Sequence, residues 1–275
     1  MLAGFHTRAS LAEDLLRLGV VAGDIVMVHT ACRKVGPVLG GPDSIIAALR
    51  DAVGPAGTIM AYLDWDAPWE DFADEKGRIP DALKFHVPGF DPALNRAARD
   101  NGTLPEFLRT TPGARRSGNP GASVAALGAR AEWLTADHPL DYGYGPGTPL
   151  AKLVEAGGKV LMLGAPLDTM TLVHHAEHLA VLAGKRVFRR EVPFATAAGV
   201  VWRMVEEYDT GDPVVDALPE DFIAQIVAAF MARGHGRQGR VGEAQSVLVD
   251  AAEIMPFAVA WLEGVAGGQN GLGSI

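Results

Sequence analysis

Cysteine is almost missing from this chain: Cys32 is the one thiol in 275 residues. A lone thiol excludes an internal disulfide framework and a thiolate zinc cluster, and it agrees with a reducing compartment. Basic charge is also scarce, with 24 Lys and Arg against 33 Asp and Glu and a formal net charge of -9. General nucleic-acid binding is excluded on that ground, because phosphate contacts need concentrated Lys and Arg, whereas a cationic substrate suits the balance. No apolar run approaches membrane-spanning length, and the charged, amphipathic start carries no apolar segment with a cleavage site. The expectation is a cytoplasmic protein with no membrane and no nucleic-acid partner.

What is present is ample apolar content, 48 % of the chain, enough for one large core. Ser10 with Glu13 reads as a capping box opening an amphipathic helix that carries Leu11, Leu15, Leu16 and Leu18 and stops at Gly19. A short buried strand follows over residues 25–29, then a turn-rich stretch over 32–41 and a helix from Pro42 bearing Ile45, Ile46, Leu49 and Val53. Residues 58–63 form a second strand, so the alternation predicts an α/β protein with its site at the strand ends, where loops gather. Residues 64–102 break the rhythm with acidic, aromatic and Pro-rich sequence. A connection of that length is functional or disordered, and its aromatics favour order. Further expectations are a helix at 104–110, strands from Val124, at 159–164, 188–194 and 200–206, and helices near 221–231 and 251–264. One domain over 1–266 with a disordered tail over 267–275 is the resulting organisation.

Chemistry concentrates at residues 171–178, where three histidines and a carboxylate fall within about two helical turns. Residues three or four apart share a helix face, so His174, Glu177 and His178 point one way and His175 another. Three readings stay open on the residues alone. His174-x-x-Glu177-His178 is the zinc-hydrolase spacing, which still needs a third ligand; His174 can be a metal-free general base; or the histidines are structural. A second acidic cluster, Glu206, Glu207, Asp209 and Asp212, ends a strand. It is either a solvated strand end or a source of carboxylates to orient an imidazole and bind ammonium groups. With Asp64, Asp66, Glu70 and Asp71 it could line an acidic cleft that concentrates a polycation.

Basic residues stand in two glycine-bearing loops, Arg33 with Lys34 and Arg115 with Arg116 and Ser117. Arginine beside backbone N–H groups suits phosphates, although neither loop is a Walker motif and ordinary surface charge is the plainer account of each. Gly-x-Gly-x-x-Gly at Gly234 to Gly239 follows a helix rather than a strand and reads as a helix exit. Cys32 is read as a small buried residue rather than a nucleophile, having no local basic partner beyond Arg33.

Five ordered stretches, Val28-His-Thr-Ala-Cys-Arg-Lys-Val-Gly-Pro37, Arg115-Arg-Ser-Gly-Asn-Pro-Gly-Ala-Ser123, Gly145-Pro-Gly-Thr-Pro149, Leu163-Gly-Ala-Pro166 and Thr171-Leu-Val-His-His-Ala-Glu177, resemble the aminoglycoside 3-N-acetyltransferases. The likeness runs from about residue 7 to about residue 264 and is nearest the broad-specificity class III type. It implies an α/β fold with a central mixed β-sheet flanked by helices, the antibiotic N-acetyltransferase fold and not the GCN5-related one. The implied activity is acetyl transfer from acetyl-coenzyme A to the 3-amino group of the deoxystreptamine ring of an aminoglycoside antibiotic, giving resistance, in a monomer or homodimer and without a metal.

By family position His174 is the base and Asp209 the carboxylate that orients it. Glu177 shares the face of His174. The resemblance puts Thr30, Ala31, Arg33, Val35, Gly36, Ser117, Gly118 and Asn119 on the coenzyme side. Asp64, Trp65, Asp66, Glu177, Glu206, Glu207 and Asp209 go to the antibiotic side, with residues 64–102 a substrate-side insertion that sets substrate range. Thr171 is a candidate oxyanion donor. Two positions depart from the pattern. Asn119 stands where many relatives carry histidine and cannot act as a base, and Cys32 stands where relatives vary.

Overall fold

The computed structural model describes residues 4–268. Nine strands are present among them: β1 Ile25–Thr30, β2 Thr58–Tyr62, β3 Arg115–Arg116, β4 Val124–Gly128, β5 Lys159–Leu163, β6 Val187–Thr196, β7 Gly199–Tyr208, β8 Arg237–Val241 and β9 Ala244–Asp250. Seven build one mixed sheet in the order β3-β4-β2-β1-β5-β9-β8, and β6 with β7 forms a separate antiparallel hairpin. At the centre β1 runs parallel to both β2 and β5, while β4 and β9 flank this trio antiparallel. The sequence expectation of a mixed sheet flanked by helices holds.

Both faces of the central strands are covered, which is why residues 25–28 read as an unbroken apolar run. Side chains alternate across the strand. Ile25 and Met27 enter one core with the helices Pro149–Glu155, Leu172–Leu179, Phe222–Ala232 and Ala251–Ala266. Val26 and Val28 enter the other with Arg8–Leu18, Gly41–Val53 and Thr103–Thr110. His29 therefore shares the face of the His-bearing helix, and Thr30 the opposite face.

The first helix starts earlier than expected. Thr7 is its N-cap and Ser10 the third helical residue: Ser10 N–H donates to Thr7 Oγ1 (3.2 Å) and Thr7 N–H to Ser10 Oγ (2.9 Å). The box is Thr7 with Ser10, because a serine hydroxyl at that third position closes it as Glu would. Unforeseen are β3, the helices Ala131–Thr135 and Pro149–Glu155, and the edge pair β8–β9. The glycine motif at Gly234 to Gly239 spans a helix exit and enters β8, with Gly234 and Gly236 at positive φ. The tail expected to be disordered lies, from residue 269 onward, outside the described residues.

Residues 64–102 are ordered and hold short helical turns at Pro68–Phe72, Asp81–Lys84 and Arg99–Asn101. Trp65, Trp69, Ile79 and Phe90 form a small core of their own. Backbone bonds stitch the segment to the outer edge of β6: Glu191 N–H donates to Gly77 O (2.7 Å), Phe90 N–H to Pro193 O (2.8 Å) and Ala195 N–H to Phe90 O (3.0 Å).

Candidate active site

The C-terminal ends of β1, β2 and β5 lie side by side, at the position where parallel strands of open α/β sheets usually present ligands. Over them is a cavity of about 610 Å³ walled by the end of β2, residues 64–70, the 119–121 turn, the helix Leu172–Leu179 and the β6–β7 hairpin. His174 forms part of this wall. Its Nδ1 is 2.6 Å from Glu177 Oε2, one helical turn on, and Glu177 is 0 % exposed. Because a carboxylate only accepts, the contact assigns the proton to Nδ1 and leaves Nε2 as an acceptor. Glu177 Oε1 takes the Val214 N–H at 3.4 Å, so this buried carboxylate is held at both ends.

Two tyrosines back the histidine. Tyr62 Oη and Tyr144 Oη are 2.7 Å apart, both reach Gly121 O (3.0 and 3.1 Å), and the Tyr144 ring lies 5.2 Å from that of His174. Burial drives the hydroxyl acidity of both down, so they remain protonated donors. His175 points away, as the helix spacing requires, with Nδ1 2.7 Å from Tyr144 O. His29 lies beneath, its Nε2 buried with no partner; burial first, and then the charge of His174, pulls it down to about 4.

Asp64 faces the same cavity in a left-handed conformation (φ 53), its Oδ1 accepting the Trp65 N–H at 2.6 Å. Burial pushes its carboxyl up to about 6, against the opposing pull of that bond and of the Arg190 and Arg116 charges. Arg116 is structural. It donates to Asn95 O, Asp64 O and Ser123 Oγ and packs over Phe90, tying the loop bases together.

The predicted residues divide. Asp64, Trp65, Glu207, Asp209, Asn119 and His174 all border the cavity. Asp209, however, does not hold the imidazole: its Oδ2 is 3.7 Å from Arg186 Nε, and the carboxylate on His174 is Glu177. The helix brings Glu177 there by its i,i+3 offset, whereas Asp209 leaves β7 on the hairpin side. Full burial likewise removes Glu177 from the antibiotic-facing set. Asp66 is exposed and Glu206 is engaged by Arg189 and Tyr142, and neither borders the cavity.

On the coenzyme side, Thr30 closes β1 with Oγ1 buried and unpartnered, and Ala31 donates its N–H to Leu163 O (3.0 Å). Arg33 is exposed and Gly36 stands at φ 88. Two assignments there are corrected. Val35 is 0 % exposed, a core residue whose carbonyl takes the Glu243 N–H (3.0 Å). Ser117 is also 0 % exposed, its Oγ between Val124 N–H (3.0 Å) and His138 Nδ1 (2.9 Å). Gly118 is exposed. Asn119 spends its amide locally, donating to Pro139 O (2.7 Å) and Leu140 O (3.2 Å) and accepting from Ala122 N–H (3.0 Å). Thr171 is buried and makes no cap through its side chain.

The zinc spacing is not realised. His178 turns toward Glu207 (Nε2 to Oε1 3.0 Å) and His174 toward Glu177. Among the described residues no three His, Cys, Asp or Glu side chains are placed to share an ion. Sequence reasoning missed Tyr62, Tyr144 and Arg190. The tyrosines carried a weak signal, one at a strand end and one in the glycine-rich 141–149 stretch, and Arg190 carried none, sitting on an ordinary-looking strand.

Residues 27–263 match the family model described as aminoglycoside 3-N-acetyltransferase. The chain is 49 % identical to aminoglycoside N(3)-acetyltransferase III of Pseudomonas aeruginosa, covering 94 % of each. It is 48 % identical to the type VII enzyme of Streptomyces paromomycinus, over 97 % of this chain and 95 % of that one. Among solved structures it superposes on "AAC-IIIb binary with CoASH" with a TM-score of 0.93 and 67 % identity, covering 94 % of this chain and 97 % of that one. It also matches "AAC-VIa bound to Sisomicin" with a TM-score of 0.89 and 39 % identity, covering 94 % and 98 %.

Proposed function

Since the chain belongs to the aminoglycoside 3-N-acetyltransferase family, we propose that it acetylates the 3-amino group of the deoxystreptamine ring with acetyl-coenzyme A by direct attack, with His174 as base, and so confers resistance. The observation that carries this reading is the His174–Glu177 pair at 2.6 Å on the wall of an acidic cavity. An ammonium cannot attack a thioester until it loses a proton. The ammonium first gives that proton to solvent; as the neutral amine attacks and the C–N bond forms, its nitrogen gives a second proton to His174 Nε2, and Glu177 stabilises the imidazolium. When the C–S bond breaks, the imidazolium returns a proton to the departing sulfur. General-base help contributes on the order of a hundred to ten thousand fold, and positioning of the two substrates supplies much of the rest.

Glu207 and Asp209 receive ammonium groups of the antibiotic, Asp64 borders the same side, and Trp65 and Trp69 with residues 64–102 shape it as an insertion within a single domain over 1–266. Thr30, Ala31, Arg33, Gly36 and Gly118 receive the coenzyme. The fit rests on the exposed Arg33 side chain and on the unpartnered Thr30 hydroxyl. No helix among the described residues is long and apolar enough to cross a membrane, and the need for acetyl-coenzyme A assigns the enzyme to the cytoplasm.

The test is free-thiol release from acetyl-coenzyme A by purified, metal-stripped protein, with and without a panel of 4,5- and 4,6-linked aminoglycosides. Antibiotic-dependent release is expected. Coenzyme binding without release for any member would move the activity to another amine.

A further inference from the structure

A cavity suited to a polycation contains a cation of its own. Arg190, from β6, is the one Lys or Arg on the wall among the described residues, and Asp64, Glu70, Glu207 and Asp209 line the same wall. It pairs with Glu70 of the 64–102 segment, and its guanidinium lies 4.4 Å over the Phe188 ring. An ideal Cβ at Gly121 would come 3.6 Å from its Nη2, so the head group reaches across to the turn that holds the two tyrosines. The side chain is 27 % exposed, so it is fixed rather than swinging in solvent. Burial lowers its affinity for a proton, and the charges of Asp64, Glu207 and Asp209 act against that, as expected of a group inside the acidic set.

We infer that Arg190 is a specificity residue that disfavours an ammonium, and favours a hydroxyl or ether oxygen, at the aminoglycoside position abutting the Asp64–Glu70 wall. The inference rests on this cavity being the antibiotic site. A guanidinium offers only donors, so an oxygen acceptor completes it while a second cation meets it with like charge. Discrimination of this kind comes from a repulsive element as much as from an attractive one. The remaining carboxylates, Glu207 against His178 and Asp209 3.7 Å from Arg186, lie on the hairpin side away from Arg190's partner Glu70 and are the ones left to meet ammonium groups. The acidic wall is thereby divided into a neutralised half and an anionic half.

The test uses full-length protein and three pairs of aminoglycosides, each pair differing by one amino-for-hydroxyl exchange outside the reacting ring, with kcat/KM measured for every member. Arg190→Gln should move the amino-to-hydroxyl ratio of at least one pair toward the amino member by about tenfold or more. Glu70→Gln, which frees the guanidinium of its partner, should move the same ratio the other way. A merely structural role would lower both members alike and leave the ratio alone. Ratios unchanged within about twofold in both variants, with wild-type turnover intact, would overturn the inference. If Arg190→Gln does not fold, the sign of the Glu70→Gln shift decides it. Wild-type protein that shows no antibiotic-dependent thiol release overturns the functional reading, and this inference with it.

Discussion

His174 and Glu177 act as a unit because a helix sets them one turn apart and the core buries the carboxylate completely. His174→Ala should lower kcat by about a hundred to ten thousand fold with coenzyme A affinity nearly intact, measured by initial rates and by calorimetric titration. Near-normal turnover would remove it as the base. Glu177→Gln should cost at least about tenfold in kcat, since the amide no longer supports the imidazolium, while Asp209→Asn should chiefly raise the antibiotic KM. A large kcat loss in the Asp209 variant alongside a normal Glu177 variant would return the orienting role to Asp209. At this scale the sequence carried the pair, because helical spacing is local. It did not carry which carboxylate faces the ring, because Asp209 approaches only through the docking of a distant hairpin.

Residues 64–102 show what an element requires beyond composition. Their aromatics predicted order, and order is found, but the segment is held by the edge of β6, a strand about a hundred residues away along the chain. Gly77 lies where the two backbones crowd: it stands at φ 73, and a Cβ there would fall 1.8 Å from Arg189 O. Neither the dihedral nor the space admits a side chain. Gly77→Ala should therefore loosen the segment, speed proteolytic nicking within 64–102 and raise the antibiotic KM by about tenfold, at a cost of about 1 to 3 kcal/mol. A variant with the wild-type nicking rate and KM would show that the stitch does not support the site. Local sequence could not have assigned Gly77 this part, since one glycine among turn residues looks like any other.

Across the whole molecule, buried titratable groups set opposing slopes of stability against pH. Burial lowers His29 and His138 from 6.5 to about 4, so their contribution is full above the unfolded value and is lost as pH falls through about 4. Asp64 runs the other way. Burial raises it from 3.8 to about 6, so its contribution is full at the acid end and is lost as pH rises through about 6. Asp64→Asn should accordingly gain about 1 to 2 kcal/mol on wild type between about pH 4 and about pH 7, read from urea midpoints. Parallel curves for the two proteins would sink the assignment of Asp64 as a strained carboxyl. What the chain determined unaided was whatever depends on near neighbours: apolar runs that become doubly covered strands, the His174–Glu177 spacing, and an acidic balance fitted to a cation. The mixed strand order, the burial of Val35 and Ser117, the tyrosine pair and the intrusion of Arg190 among the carboxylates were decided only in three dimensions. Each depends on contacts between residues far apart in the chain, and side-chain alternation and charge pattern say which face a residue takes but not what comes to meet it.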